Sequence, residues 1–246
     1  MLSACAQAES MAMTDQSRPA RASRAKAERT RATILAAAEH VFAEKGYAAT
    51  RLQDVAAQVG IRRASIIYYF RDKRDLYDTV LAGIFEELLD RYQTVLGAPA
   101  SLRQRIEAIV DAWAGYVGER PTVARLLLWE AADGSQERTS AAAGRGAAVI
   151  AALVSAIHEG QRQGLVHPID PIHFIVTIIG ATVFFVTATP RLVPEWPFDP
   201  LSPEQLAAHR AELLGISRRL LGTAGTPESA TSGGSHRPYP EVGTWS

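Results

Sequence analysis

GIRRASIIYYFRDKRDLY, from Gly60 to Tyr77, admits two conformations with different consequences. As a strand, its middle alternates with period two, putting Ile66, Tyr68 and Phe70 on one side and Ile67 and Tyr69 on the other. Both faces are then apolar, which demands a deeply buried strand in a region with no second strand to pair with. As a helix, Ile66 and Phe70 fall at i and i+4 on one face, and Arg62, Arg63, Ser65 and Tyr68 are left to point elsewhere. The helix is preferred, because it separates the apolar anchors from the basic and hydroxylated residues.

Upstream, Ile34, Leu35, Ala38, Val41 and Phe42 recur at helical spacing, and Gly46 after Lys45 supplies a stop with a cation in the last turn. Thr50-Arg51-Leu52-Gln53 has the form of a Thr-x-x-Gln capping box. Leu52, Val55, Ala56 and Val59 then mark one face of a helix of about two turns that ends at Gly60. Two helices joined by a tight glycine-containing turn, the second carrying basic and hydroxylated residues, form the helix-turn-helix arrangement. The charge distribution agrees. The 246-residue chain is formally neutral, with 26 Lys and Arg against 26 Asp and Glu. From Gln16 to Arg74 there are 13 basic and 5 acidic residues, a net of +8, and the remainder holds 13 basic and 21 acidic, a net of −8. Such asymmetry describes a basic module facing an anion and an acidic body that does not.

These residues resemble the DNA-binding domain of the TetR (tetracycline repressor) family of transcriptional regulators. The resemblance runs from about Glu28 to Leu81. It is carried by Phe42, Gly46 and Tyr47 at the end of the first helix, by Thr50, Val55, Ala56, Val59, Gly60 and Ile61, and by Tyr68, Tyr69, Phe70, Lys73 and Leu76. It implies an all-α fold, an N-terminal three-helix DNA-binding domain followed by a helical ligand-binding and dimerisation domain. It further implies that Arg62, Arg63 and Ser65 open the recognition helix and face base edges in the major groove. An arginine fork on guanine is worth roughly 1 to 3 kcal/mol of discrimination there. Tyr68, Tyr69 and Lys73 would then approach phosphates, with Thr50 and Arg51 doing so from the second helix. Thr50 reads equally as a helix cap, and Tyr69 as half-buried core. Ile67 stands where many members have a phosphate-contacting tyrosine, and Ala64 where glycine or proline is frequent. The pair Arg62-Arg63 replaces the commoner Ser-Lys and strengthens the electrostatic attraction.

The expected organisation is a basic arm without fixed structure over residues 1–27, the helix-turn-helix domain over 28–88 with its motif at 51–70, a helical effector-binding and dimerisation domain over 89–222, and a polar, glycine-rich tail without fixed structure over 223–246. Helical patterns in the body cover about Arg74–Leu96, Ser101–Gly118, Pro121–Ala132, Thr139–Gly164, Pro171–Thr189 and Ser202–Leu221. The last opens on Ser202-Pro203-Glu204-Gln205, an N-cap, a proline at the first helical position and a capping glutamine. By order in the chain, the final two correspond to the helices of the four-helix dimer interface in the family. The resemblance therefore implies a homodimer on double-stranded DNA, with an inverted-repeat operator. It also implies a small-molecule effector, held among the helices between Leu102 and Phe185. Trp113, Tyr116, Trp129, Phe184 and Phe185 are the aromatic candidates, with Glu130, His158 and His173 as polar contacts; the same aromatics read as ordinary core.

Cys5 is the single cysteine, so neither a disulfide framework nor a thiolate metal cage is available. The sequence has no nucleotide-binding loop, no metal-ligand cluster and no nucleophile with a local base, and its six histidines are scattered, so neither enzymatic activity nor a cofactor is expected. The uncharged run Pro171 to Pro190 approaches the roughly 20 residues of a membrane span. It is bounded by prolines and contains His173 and several threonines, and a protein core or dimer seam accounts for it better. A cytoplasmic, nucleoid-associated protein follows. The competing reading is a DNA-bound structural or partner-recruiting protein without an effector, whose mark would be a closed interior and a large exposed apolar patch.

Overall fold

Gly46 sets the first boundary of the fold. The computed structural model describes residues 2–133, 141–192, 194 and 198–222. It draws α1 over Leu2–Ala49, with the helical run broken at Gly46, φ 75°. A Cβ at this position would lie 3.0 Å from the Trp129 ring, so the left-handed backbone and the close approach both require glycine. The chain then forms α2 (Leu52–Val59), stopped by Gly60 at φ 74°, and α3 (Arg63–Tyr69). Ile34, Ala38 and Phe42 of α1, Leu52 and Val55 of α2, and Ile66 with Phe70 at the end of α3 bury one another. The i, i+4 pair that argued for a helix is thus the pair that docks it.

The cap of α2 differs from the expected box. Arg51 is the N-cap, and its N–H donates to the Asp54 carboxylate at 3.0 Å, which also meets Lys45 at 3.3 Å. A carboxylate in the first turn is favoured by the helix dipole and is a stronger acceptor than an amide, so Asp54 takes the place assigned to Gln53. Residues 2–27, expected as an arm without fixed structure, are drawn as the continuation of α1. Ala, Gln, Glu, Lys and Arg are strong helix formers, and lengthening an existing helix needs no new nucleus. Over residues 21–33, side chains are exposed or half-buried, so this part of α1 projects beyond the packed core.

The body comprises α4 (Lys73–Gly97), α5 (Leu102–Glu119), α6 (Thr122–Asp133), α7 (Ala141–Arg162), α8 (Pro171–Thr187), the single turn α9 (Thr189–Leu192) and α10 (Pro203–Leu221). Their ends carry identifiable stops. Asp72 caps α4 by accepting from Asp75 N–H at 2.8 Å, while the Asp75 carboxylate accepts from Arg71 N–H at 2.9 Å. Ser101 and Gln104 form a reciprocal box on α5, Asp170 caps α8, and Ser202 with Pro203 opens α10, which Gly222 closes at φ 67°. α4 packs against α1, α5 and α7, α10 lies on α5, and α6 bridges α1 and α8. Since α4 runs unbroken through residue 88, reader and body share one rigid element. No helix among the described residues is long and apolar enough to cross a membrane. The tail expected over 223–246 lies outside the described residues.

Candidate functional site

α3 owes its position to Ile66 and Phe70, both buried, and to Arg31 of α1, whose guanidinium stands 5.0 Å above the Phe70 ring. With that face docked, Arg62, Arg63, Ile67 and Tyr68 are exposed, Tyr68 to 81%. Arg51, at the start of α2, is exposed as well. None of Arg51, Arg62 and Arg63 has an ion-pair partner among the described residues. Ser65 and Tyr69 are half-buried, and the two tyrosine rings meet edge to face at 5.0 Å. The result is a short helix presenting two unpaired guanidinium groups, a phenol and an isoleucine to solvent. Such a surface can bind the phosphate backbone and read base edges. Ile67, whose side the sequence left open, belongs to this exposed face.

Two residues expected at the DNA are used inside the protein. Thr50 is 1% exposed, and its hydroxyl donates to Gly46 O at 2.7 Å, closing the turn where α1 ends. The Lys73 ammonium donates to the carbonyls of Tyr47, Ala48 and Thr50 at 2.8, 3.3 and 3.0 Å and lies 4.3 Å from the Tyr47 ring centre. All three of its N–H donors are thereby satisfied. The carbonyls at the end of a helix carry its negative pole, which draws in a cation that the sequence alone assigns to a phosphate.

In the body, an apolar cavity of about 30 Å³ lies between α4, α5, α7 and α8. Tyr92, Ile109, Trp113, Leu153, Phe174 and Ile178 are among the residues lining it. Burial pushes the Tyr92 phenol up, so it stays neutral. Trp113 is the expected effector residue that this cavity contains. Tyr116 is buried elsewhere, its hydroxyl donating to Glu87 at 3.2 Å beneath Arg91. Trp129 donates from its indole to Ala43 O at 3.2 Å and packs on Gly46, joining body to reader. His173 is exposed beside Asp170 at the start of α8, Phe184 is 56% exposed, and His158 is exposed. Phe185 stacks on His209 at 4.1 Å, and Glu130 accepts from Tyr77. Of the aromatic candidates, Tyr116 and Trp129 serve junctions instead. The lining is mostly aliphatic, which at helical spacing carries no signal distinct from core.

A junction without any local signature connects the two parts. The Arg120 guanidinium grips the buried carboxylate of Glu39 through Nε at 2.7 Å and through Nη2, and Nη1 reaches Glu87 at 2.7 Å. Thr122 donates to the same Glu39 carboxylate. Burial alone would raise the Glu39 carboxyl; Arg120 and Thr122 more than offset it and hold the group below the usual value. The two partners of the main pair are 81 residues apart, so no short motif announces them. Among the described residues, no group of three or more His, Cys, Asp or Glu is placed to hold a metal ion.

Comparison with known proteins places both parts. Residues 34–80 match the family model for bacterial regulatory proteins of the tetR family, and residues 103–215 match the tetracyclin repressor-like C-terminal domain. The HTH-type transcriptional regulator RutR of Escherichia coli (strain K12) is 27% identical over 162 residues, spanning 65% of this chain and 74% of that protein. The HTH-type transcriptional repressor KstR2 of Rhodococcus jostii (strain RHA1) is 32% identical over 80 residues, 32% of this chain and 39% of that one. In fold, the chain is similar to the transcriptional regulator FadR from Bacillus subtilis in complex with stearoyl-CoA, with a TM-score of 0.61 at 18% identity over 78% of this chain and 98% of that one.

Proposed function

We propose, from the premise that this chain belongs to the tetR family of bacterial regulatory proteins and so is a DNA-binding transcriptional regulator rather than an enzyme, that it acts as a cytoplasmic homodimeric repressor released from an inverted-repeat operator by a small-molecule effector. The observation that carries this reading is the face of α3, where Arg62 and Arg63 stand exposed and unpaired among the described residues on a helix docked through Ile66 and Phe70. Arg62, Arg63 and Ser65 would read bases, with Arg51, Tyr68 and Tyr69 toward phosphates and Ile67 offering an apolar contact to a thymine methyl. Thr50 and Lys73 act as supports of this surface.

The dimer is supported by α8, whose outer face exposes Ile172, Val176 and Phe184 around Gly180. A single chain leaves that stripe in water, and two copies related by a two-fold axis would bury it. Release is supported by Tyr92, which puts α4 in the wall of the cavity. The same helix enters the reader through Leu76 and Tyr77, where Tyr77 meets Phe42 edge to face at 4.8 Å. A molecule entering so small a cavity must move the surrounding helices, and a shift of α4 would change the spacing of the two recognition helices. The effector acts by its differential affinity for the two spacings.

Selection of bound fragments from genomic DNA tests the reading. Recovery of a two-fold symmetric site is expected; an unpaired half-site, or a strict monomer at micromolar concentration, overturns the dimer. A cavity of about 30 Å³ beside an exposed apolar stripe is also what a partner-recruiting DNA-binding protein would have. Small molecules that bind the body and weaken operator binding reject that alternative.

A further inference from the structure

We propose that the effector cavity takes an uncharged, mainly hydrocarbon molecule carrying a hydrogen-bond acceptor, such as a ketone or ester carbonyl, which receives the Nε1–H of Trp113. The inference rests on the cavity assigned above and adds the chemistry of what fills it. Trp113 is 2% exposed, and its indole nitrogen is buried without a hydrogen-bond partner. Buried N–H groups are nearly always paired, so an open one on a side chain that lines the cavity points to a ligand that would supply the acceptor once the walls move apart. An indole nitrogen is a donor only, which excludes a purely donating ligand group at this point. The remaining lining side chains are aliphatic or aromatic. None carries a formal charge, since burial keeps the Tyr92 phenol protonated. A carboxylate or an ammonium entering here would be desolvated without a counterion. A neutral carbonyl meets the open indole donor, with the protonated Tyr92 hydroxyl on the same wall, and lets the hydrocarbon replace aliphatic contacts.

Isothermal titration of the full-length protein with decan-2-one, decanoate and decylammonium at neutral pH tests this, without DNA. Decan-2-one is expected to bind, and the two ions to bind roughly a hundredfold more weakly or not at all. Trp113→Phe keeps the ring and removes the donor, and should weaken the ketone roughly tenfold. In the parent protein the Trp113 indole proton should shift in the NMR spectrum on adding the ketone, a measurement that holds even if the variant folds poorly. Decanoate binding as tightly as the ketone, an unmoved indole proton, unchanged affinity in Trp113→Phe, or no binding by any of the three overturns the proposal. Ketone binding through Trp113 that leaves operator affinity unchanged would instead overturn the release mechanism and leave the ligand chemistry standing.

Discussion

Arginines behave differently in the two halves of the molecule. In the body, Arg91, Arg120, Arg210 and Arg218 each reach across to a carboxylate on another element, tying α4 to α5, α5 to α1 and α10 to α5. On the helix-turn-helix surface, Arg51, Arg62 and Arg63 have no such partner among the described residues. The same side chain is a tie between helices in one place and an open fork in the other, and only the open fork is available to an external anion. Lys73 crosses the line: it belongs to the reader yet is fully occupied by carbonyls, as a body cation would be.

The comparison breaks most visibly at Glu39. Glu39→Ala should cost about 3 kcal/mol, because Arg120 then keeps a half-buried charge with one carboxylate gone, and the melting temperature should fall by roughly 6 to 12 °C. Arg120→Ala should cost as much or more, leaving the buried Glu39 carboxylate unpaired. The pair also has an acid limit. The Glu39 carboxyl is held below its usual value despite burial, so its contribution is fully present above the unfolded pKa of about 4.3 and is lost as pH falls through the lower folded value. Parent and Glu39→Ala stabilities should therefore converge in acid; parallel curves down to about pH 2 would show that the ion pair contributes nothing.

Lys73→Met comes next. Removing three charge-assisted bonds to carbonyls should cost about 2 kcal/mol of stability, while the salt dependence of DNA binding at matched folded concentration stays that of the parent. A fall in that slope by about one counterion would return Lys73 to the DNA surface. Arg62→Ala and Arg63→Ala should do the reverse. Each should leave the melting temperature within about 1 °C, as surface changes do, and weaken the selected operator by about 1 to 2 kcal/mol, roughly five- to thirtyfold, with loss of preference for it over random duplex. Equal losses on every sequence would make them phosphate ligands only.

The two halves were also unequally legible in sequence. The reader could be read because its parts differ in kind from their surroundings: glycines where φ turns positive at Gly46 and Gly60, apolar anchors four apart at Ile66 and Phe70, and cations where a core would not tolerate them. Lys73 and Thr50 were ambiguous in sequence, because a cation or hydroxyl near DNA and one capping a nearby helix end look alike until the chain is folded. In the body, helix positions followed from caps such as Ser202-Pro203, but the cavity did not. Ile109, Leu153 and Ile178 line it with the residues any helix uses to face a core, and the more conspicuous aromatics Tyr116 and Trp129 serve the junction with the reader.

The smallest expected effect concerns the part of α1 that projects from the core. Over residues 21–33 it carries Arg21, Arg24, Lys26, Arg29 and Arg31 against Glu28 alone, and Arg31 fixes its base beside the end of α3 through the Phe70 ring. A cationic helix leaving the protein next to the recognition helix can follow the phosphates that flank a half-site without meeting a base. Arg21→Ala together with Arg24→Ala should then lower the slope of log K against log salt by at most about 1.8 per protomer, near 0.9 for each phosphate no longer neutralised. Affinity should drop severalfold at low salt and hardly at all at high salt, equally for the operator and for random duplex, because the phosphate backbone carries no sequence information. Thermal stability should not move, since neither side chain packs against the core. A change in sequence preference would mean that this helix reads a groove; an unchanged slope would mean that it points away from the DNA, and that the open cations of the reader end at Arg51.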